Sequence, residues 1–273
     1  MPADSIKKTI VMALGVCFVC SVLVSTAAVT LKPRQEKNKR LEKIKNILIA
    51  GDLFKEGEDV EKIFKTSVSS KVVQLDTGAF LDEAGVPEEA VAEKDGLLSP
   101  ENYDIKKVTG SSKFGEAIPG DKDLADIKRK PKFVLIYLVK EGDTVQKVIL
   151  PMFGKGLWST MYGFMALDRD LKTIKGFTFY EHGETPGLGG EVDNPKWKAL
   201  WKGKMAFDES NEVKIEVIKG LVDTSRPDAK YKVDGLSGST LTTRGVHNLV
   251  RFWLGDEGYG PLLKKLREGG ING

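Results

Sequence analysis

Phe133-Val-Leu-Ile-Tyr-Leu-Val139, then the turn Glu141-Gly142-Asp143, then Val145–Leu150, is the stretch that decides the fold. Two apolar, β-branched and aromatic runs around a Gly-containing turn predict a hairpin of two buried strands. Working outward, Tyr162–Leu167 and Ile174–Tyr180 predict two more strands. Lys71–Leu75, Val213–Ile218 and Lys230–Val233 predict shorter ones. Asn194 with Pro195 behind it opens a short helix, Pro195–Lys202, as N-cap and first helical residue. Val246, Leu249, Val250 and Trp253 share one face of a helix opening at Thr242 or Thr243, and Pro261–Arg267 forms a last one. The expected fold class is α+β, a mostly antiparallel sheet with packed helices.

An apolar segment precedes this domain. Thr9–Leu31 contains no charged residue and covers about 23 positions, roughly 34 Å as a helix, enough for a bilayer core of about 30 Å. Lys7 and Lys8 close one end; Lys32, Pro33 and Arg34 close the other. The reading is one N-terminal transmembrane helix within residues 1–33; the alternative is a cleaved leader using Ser25-Thr26-Ala27-Ala28. No later apolar run reaches spanning length. Leu41, Ile44, Ile47 and Leu48 then mark an amphipathic stalk from about Arg34 to Ala50 that Pro33 would bend away from the span. Residues 34–132 form this stalk and the first part of the soluble domain, with a second helix near Val60–Lys65 and weak periodicity from Ser69 to Lys132. Residues 133–273 form the second part, expected to hold the chemistry. The basic run after the span favours a cytoplasmic domain by charge bias, but long folded domains translocate largely regardless of it, so orientation stays open.

Composition excludes several functions. The formal charge of +3, from 42 basic and 39 acidic residues, is not the field of a nucleic-acid binder. Cys17 and Cys20 both lie in the apolar segment, so the soluble domain has no thiol nucleophile, disulfide or Cys-ligated metal. His182 and His247 are too few for a metal site, and are expected to be structural. Gly187–Val192 and Gly154–Ser159 lack the third glycine of a dinucleotide fingerprint, and no phosphate-binding P-loop or Gly-x-Ser-x-Gly elbow occurs. No catalytic residue and no metal is expected.

Three clusters remain. Asp234-Gly-Leu-Ser237-Gly238-Ser239-Thr240 lies between a short strand and a helix, where amide N–H groups favour an oxyanion; on spacing alone an ordinary helix cap is the preferred reading. His182-Gly-Glu184-Thr185-Pro186-Gly187-Leu188-Gly189-Gly190 is either a loop that lets a flat ligand approach the main chain or a plain turn. Gly154-Lys-Gly156-Leu157-Trp158-Ser159-Thr160 pairs a flexible entry with an aromatic ring.

The first cluster resembles the flavinylation motif of the FMN-binding domain family: an Asp, two variable positions, Ser or Thr, a small residue, Ala or Ser, and the acceptor Thr. Asp234 matches the leading acid and Thr240 the acceptor; Ser239 stands where Ala is commoner. The other two clusters recur in that family in the same order. Over nearly the whole chain, from the span to Tyr259–Arg267, the sequence is similar to the C-subunit family of the Na+-translocating NADH:quinone oxidoreductases. The G-subunit family of Rnf-type complexes and membrane-anchored FMN-binding regulatory proteins are the alternatives.

The resemblance implies FMN joined through its phosphate to Thr240, a phosphoryl-threonine ester. A flavin transferase would install it from FAD with Mg2+. Asp234 would serve that enzyme or shape the turn. Glu184, Thr185, Gly187, Leu188, Gly189, Leu157 and Trp158 would surround the ring or ribityl chain, and Thr242 would donate to the phosphate. It further implies an electron relay between the other members of a complex of six subunits in the bacterial inner membrane, from NADH to ubiquinone with Na+ export. The soluble domain would face the periplasm, and membrane lipid would be the remaining partner. The chain would not be catalytic alone.

Overall fold

The computed structural model describes residues 5–81, 96, 98–100 and 103–270. The chain divides into two compact units, Met1–Lys43 and Ile44–Gly273. Helix α1, Ile6–Ala50, contains Pro33 and supplies the whole described part of the first unit. Its apolar residues from Ile6 to Leu31 are exposed, as a lipid-facing span requires. The expected stalk is thus the same helix continued through Pro33, not a separate one. Among the described residues α1 is the one helix long and apolar enough to cross a membrane.

The second unit begins with the last turns of α1, where Ile44, Ile47, Leu48 and Ala50 are buried. Helix α2 (Val60–Ser67), capped by the Asp59 carboxylate, leads directly into β1 (Val68–Gln74). Short helix α3 (Ile105–Gly110) and the two-stranded ribbon β2 (Gly115–Ala117) with β3 (Arg129–Pro131) follow. The predicted hairpin is β4 (Phe133–Glu141) and β5 (Thr144–Lys155), continued by β6 (Thr160–Asp168) and β7 (Ile174–Glu181). These strands form one antiparallel sheet in the order β1-β4-β5-β6-β7. Residues 34–132 therefore contribute an edge strand to the sheet built by 133–273. Val134–Val139 are buried without alternation, as an interior strand covered on both faces must be.

Beyond β7 lie α4 (Pro195–Ala199), β8 (Glu216–Val217), β9 (Lys232–Val233), α5 (Thr240–Leu254) and α6 (Gly260–Gly269). Asn194 caps α4 as expected, but α4 stops before Lys202. The expected strands at 213–218 and 230–233 shrink to a two-residue parallel pair, because Pro227–Tyr231 forms a 3-10 turn. Helix α5 opens at Thr240, two residues before the predicted start, so Thr240 is its first residue. The part of the weakly patterned stretch at 82–95, 97 and 101–102 lies outside the described residues.

Two features set α5 on the sheet. The register pairs β4 with β5 only as far as Tyr137↔Ile149, so beyond Ile149 β5 has no strand partner on that edge, where the Lys155 amide donates to the Ala125 carbonyl at 2.9 Å. Pro151, which has no N–H to offer a neighbour, sits on it. Its carbonyl accepts from the Tyr259 hydroxyl at 2.5 Å, and the Phe153 carbonyl accepts from Trp253 Nε1 at 2.7 Å. Side chains of the C-terminal region thus take hydrogen bonds that a strand would otherwise take. Gly154 lets α5 come close: a Cβ there would lie 2.8 Å from Leu249 Cβ.

Gly176 does the same for the end of α1, since a Cβ there would stand 2.5 Å from the Ala50 carbonyl oxygen. Gly176→Ala is expected to lower stability by about 1–3 kcal/mol through this overpacking, read as a reduced urea midpoint at unchanged slope.

Candidate functional site

The three clusters meet at one carboxylate. Glu184, in the loop after β7, is 5% exposed. Its Oε1 accepts from the amides of Trp158 at 2.9 Å and Ser159 at 3.2 Å. Its Oε2 accepts from the Leu157 amide at 3.1 Å and the Thr242 hydroxyl at 2.6 Å. The β5–β6 turn, the β7 loop and the first turn of α5 are thereby tied together. Burial pushes the Glu184 carboxyl up. The hydrogen bonds from Thr242, Trp158, Leu157 and Ser159 outweigh burial and hold it below the usual carboxylate range.

Glycines make the convergence possible. A Cβ on Gly156 would lie 2.5 Å from Glu184 Oε1, and one on Gly189 would lie 2.5 Å from Thr242 Oγ1 and 2.8 Å from Glu184 Oε2. Ser159 Oγ accepts from the Gly183 amide at 2.6 Å, and His182 Nδ1 accepts from the Glu184 amide at 3.2 Å. His182 Nε2 meets Asp193 at 2.7 Å. His247 Nδ1 accepts from the Val217 amide at 3.3 Å; burial, then the nearby Arg251 charge, lower its pKa. Both histidines are therefore bound into the fold.

The turn before α5 is built as tightly. Asp234 Oδ1 accepts from the Val222 amide at 2.7 Å, and its carbonyl accepts from Trp197 Nε1 at 2.9 Å. Gly238 adopts φ +71°, a left-handed conformation suited to glycine. Thr243 Oγ1 accepts from the Leu236 amide at 3.0 Å and donates to the Ser239 carbonyl at 2.9 Å. Ser237, Gly238 and Thr240 are exposed; Ser239, Thr242 and Thr243 are buried. Ser239 occupies the N-cap of α5 yet makes no side-chain cap bond. Its hydroxyl donates to Thr242 Oγ1 at 2.9 Å.

The candidate residues thus divide by where they point. Leu157 at 39%, Trp158 at 67% and Leu188 at 46% exposure are apolar side chains at the surface. Leu188 reaches toward Gly238, where a Cβ would stand 3.2 Å from Leu188 Cδ2. Thr185 and Gly187 are exposed in the same loop, and the Thr185 carbonyl accepts from the Leu188 and Gly190 amides. Glu184 and Thr242, also expected around the flavin, are buried and bonded to each other, and Glu184 also accepts from three protein amides. Ser159 and His182, quoted within the glycine clusters but given no role, and Thr243, read only as a possible helix start, also tie the site together. Leu241, 53% exposed beside Thr240, is a further unexpected neighbour.

A carboxyl whose folded pKa is depressed stabilises the fold above its unfolded value of about 4.3, and that contribution is lost as pH falls toward the folded value. Glu184→Gln places an amide NH2 against N–H donors. It is expected to cost about 1–3 kcal/mol at pH 7 and to flatten the acid limb of stability below pH of about 4.3. Urea midpoints measured across that range test both.

Residues 156–255 match the FMN-binding domain family. Among curated proteins, the C subunit of the Na+-translocating NADH-quinone reductase of Pseudomonas aeruginosa is 44% identical over 97% of this chain and 98% of its own. The corresponding protein of Vibrio parahaemolyticus is 43% identical over 98% of each chain. Among solved structures, Shewanella oneidensis NqrC superposes with a TM-score of 0.72 at 33% identity, covering 85% of this chain and 99% of that one. The C subunit of the reductase from Parabacteroides distasonis, at 24% identity and a TM-score of 0.61, shares the fold over 85% of this chain and 96% of its own. Near-complete coverage at this identity, with the antiparallel sheet, the apolar N-terminal helix and the FMN-binding region all in place, puts the chain in the C-subunit family of the Na+-translocating NADH-quinone reductases.

Proposed function

We propose that the chain is an electron-relay subunit of a Na+-translocating NADH:quinone reductase and carries FMN bonded through its phosphate to Thr240. The observation that carries the attachment is the placement of Thr240: exposed, first in α5, beside a cap residue whose side chain leaves the leading amides uncapped. The residues fit the group. A helix start with free donors suits a phosphate, and the exposed apolar side chains of Leu157, Trp158 and Leu188 suit a flat aromatic ring.

When bound, the flavin supplies a redox centre that stays with the chain while electrons enter and leave. The protein's part is placement. Asp234 shapes the acceptor turn through the Val222 amide, Glu184 holds Leu157–Ser159 against α5, and Leu188 lies over Gly238. Attachment forms a bond between Thr240 Oγ and phosphorus, breaks the pyrophosphate of FAD, releases AMP and passes the hydroxyl proton to base. A flavin transferase with Mg2+ performs it. The partners are the other members of an inner-membrane complex of six subunits and lipid around α1, with the soluble unit in the periplasm.

Expressed with the transferase, the wild-type chain is expected to give a fluorescent band after denaturing electrophoresis, and Thr240→Ala to give none. A fluorescent Thr240→Ala chain would overturn the assignment of the residue. Because Cys17 and Cys20 lie in the span, Lys219→Cys introduces a thiol into the soluble unit. A membrane-impermeant maleimide is expected to label it in intact spheroplasts; labelling only after lysis would put the domain in the cytoplasm.

A further inference from the structure

Ser239, Thr242 and Glu184 form a buried hydroxyl chain ending on a carboxylate: Ser239 Oγ donates to Thr242 Oγ1 at 2.9 Å, which donates to Glu184 Oε2 at 2.6 Å. All three residues are buried, and Thr242 has no exposed surface. The Glu184 carboxylate is fixed independently by the Leu157, Trp158 and Ser159 amides, so it is the rigid end of the chain.

Serine at an N-cap ordinarily accepts a hydrogen bond from the amide two or three residues on. Ser239 sits at that position and Thr242 three residues on, yet the contact runs to the Thr242 side chain instead of its amide. The Ser239 backbone, at φ −131° and ψ 59°, is correspondingly unlike an ordinary cap. The Thr242 hydroxyl is held in place: it donates to Glu184 Oε2, and Gly189 packs so closely that a Cβ there would lie 2.5 Å from Thr242 Oγ1.

We propose that Glu184 is a positioning residue which, through Thr242, holds the Ser239 hydroxyl away from the helix N-terminus and so keeps the α5 amides free for the phosphate ester at Thr240. The proposal rests on the Thr240 attachment for its purpose, but the hydroxyl chain and its switch stand on the geometry alone. It also accounts for Ser239 where Ala is commoner in the motif: serine is tolerated there because its donation to Thr242 Oγ1 holds its oxygen away from the helix amides. Removing the chain's middle member frees that oxygen to cap the helix and obstruct the phosphate.

The test uses the full chain in detergent, with flavin transferase, FAD and Mg2+. Thr242→Val removes the hydroxyl at nearly unchanged shape. It is expected to slow flavin incorporation about fivefold, as a competing cap would, and to protect the Leu241 and Thr242 amides against hydrogen exchange. Thr242→Ser should restore the wild-type rate. Ser239→Ala in the Thr242→Val background should restore both rate and fast exchange, although it rebuilds no hydrogen bond. A merely structural role for Thr242 predicts no such rescue. Thr242→Val at the wild-type rate with unprotected amides, or a slowed variant that Ser239→Ala leaves slow, overturns the proposal. Should the wild-type chain take up no covalent flavin, the attachment reading falls while the exchange pattern still decides the switch. Urea midpoints of all variants verify that each is folded.

Discussion

A carboxylate taken out of water is tolerated when donors replace its hydration, and Glu184 has four within the fold: three amides and a hydroxyl. Everything distinctive about the site follows from satisfying that charge. The β5–β6 turn must curl so that three consecutive amides point inward. Gly156 and Gly189 must lack side chains so that the loops can close on it. Helix α5 must begin where Thr242 can reach it. One residue's electrostatics therefore sets the mutual distances of three segments far apart in sequence, leaving the apolar side chains of Leu157, Trp158 and Leu188 outside.

The sheet provides the rigidity this arrangement needs. Strands β5, β6 and β7 are each joined to the next by antiparallel pairing, and the site's loops are the continuations of β5 and β7. Helix α5 lies against β5, with Gly154 permitting the close approach and Trp253 fixing its far end. A site held at both ends in this way undergoes little rearrangement when a planar group binds, which lowers the entropy cost of binding.

Much of this architecture was legible in the residues. The four strands at 133–181 declare themselves by β-branched and aromatic runs, and β4 most clearly, since burial on both faces leaves no room for polar alternation from Val134 to Val139. The N-terminal helix is legible from its uncharged length. The start of α5 was not, because Thr240 and Leu241 carry no periodic signal and the first turn is dictated by the tertiary position of Thr242. Nor was the continuity through Pro33, because proline signals a break locally while the helix on either side persists. The three clusters stood out by their glycines. That Glu184 faces inward was invisible, since a loop carboxylate reads as solvated until its donors are placed in space.

Pro151 and the open edge of β5 bear on how the molecule is made. The donors that cover this edge, Trp253 and Tyr259, are near the end of the chain, and so is α5. Until those residues have been made, the Pro151 and Phe153 carbonyls of β5 lack these partners. That edge of the sheet is therefore completed only once Trp253 and Tyr259 have emerged. Until then that strand edge is open to pairing with another copy.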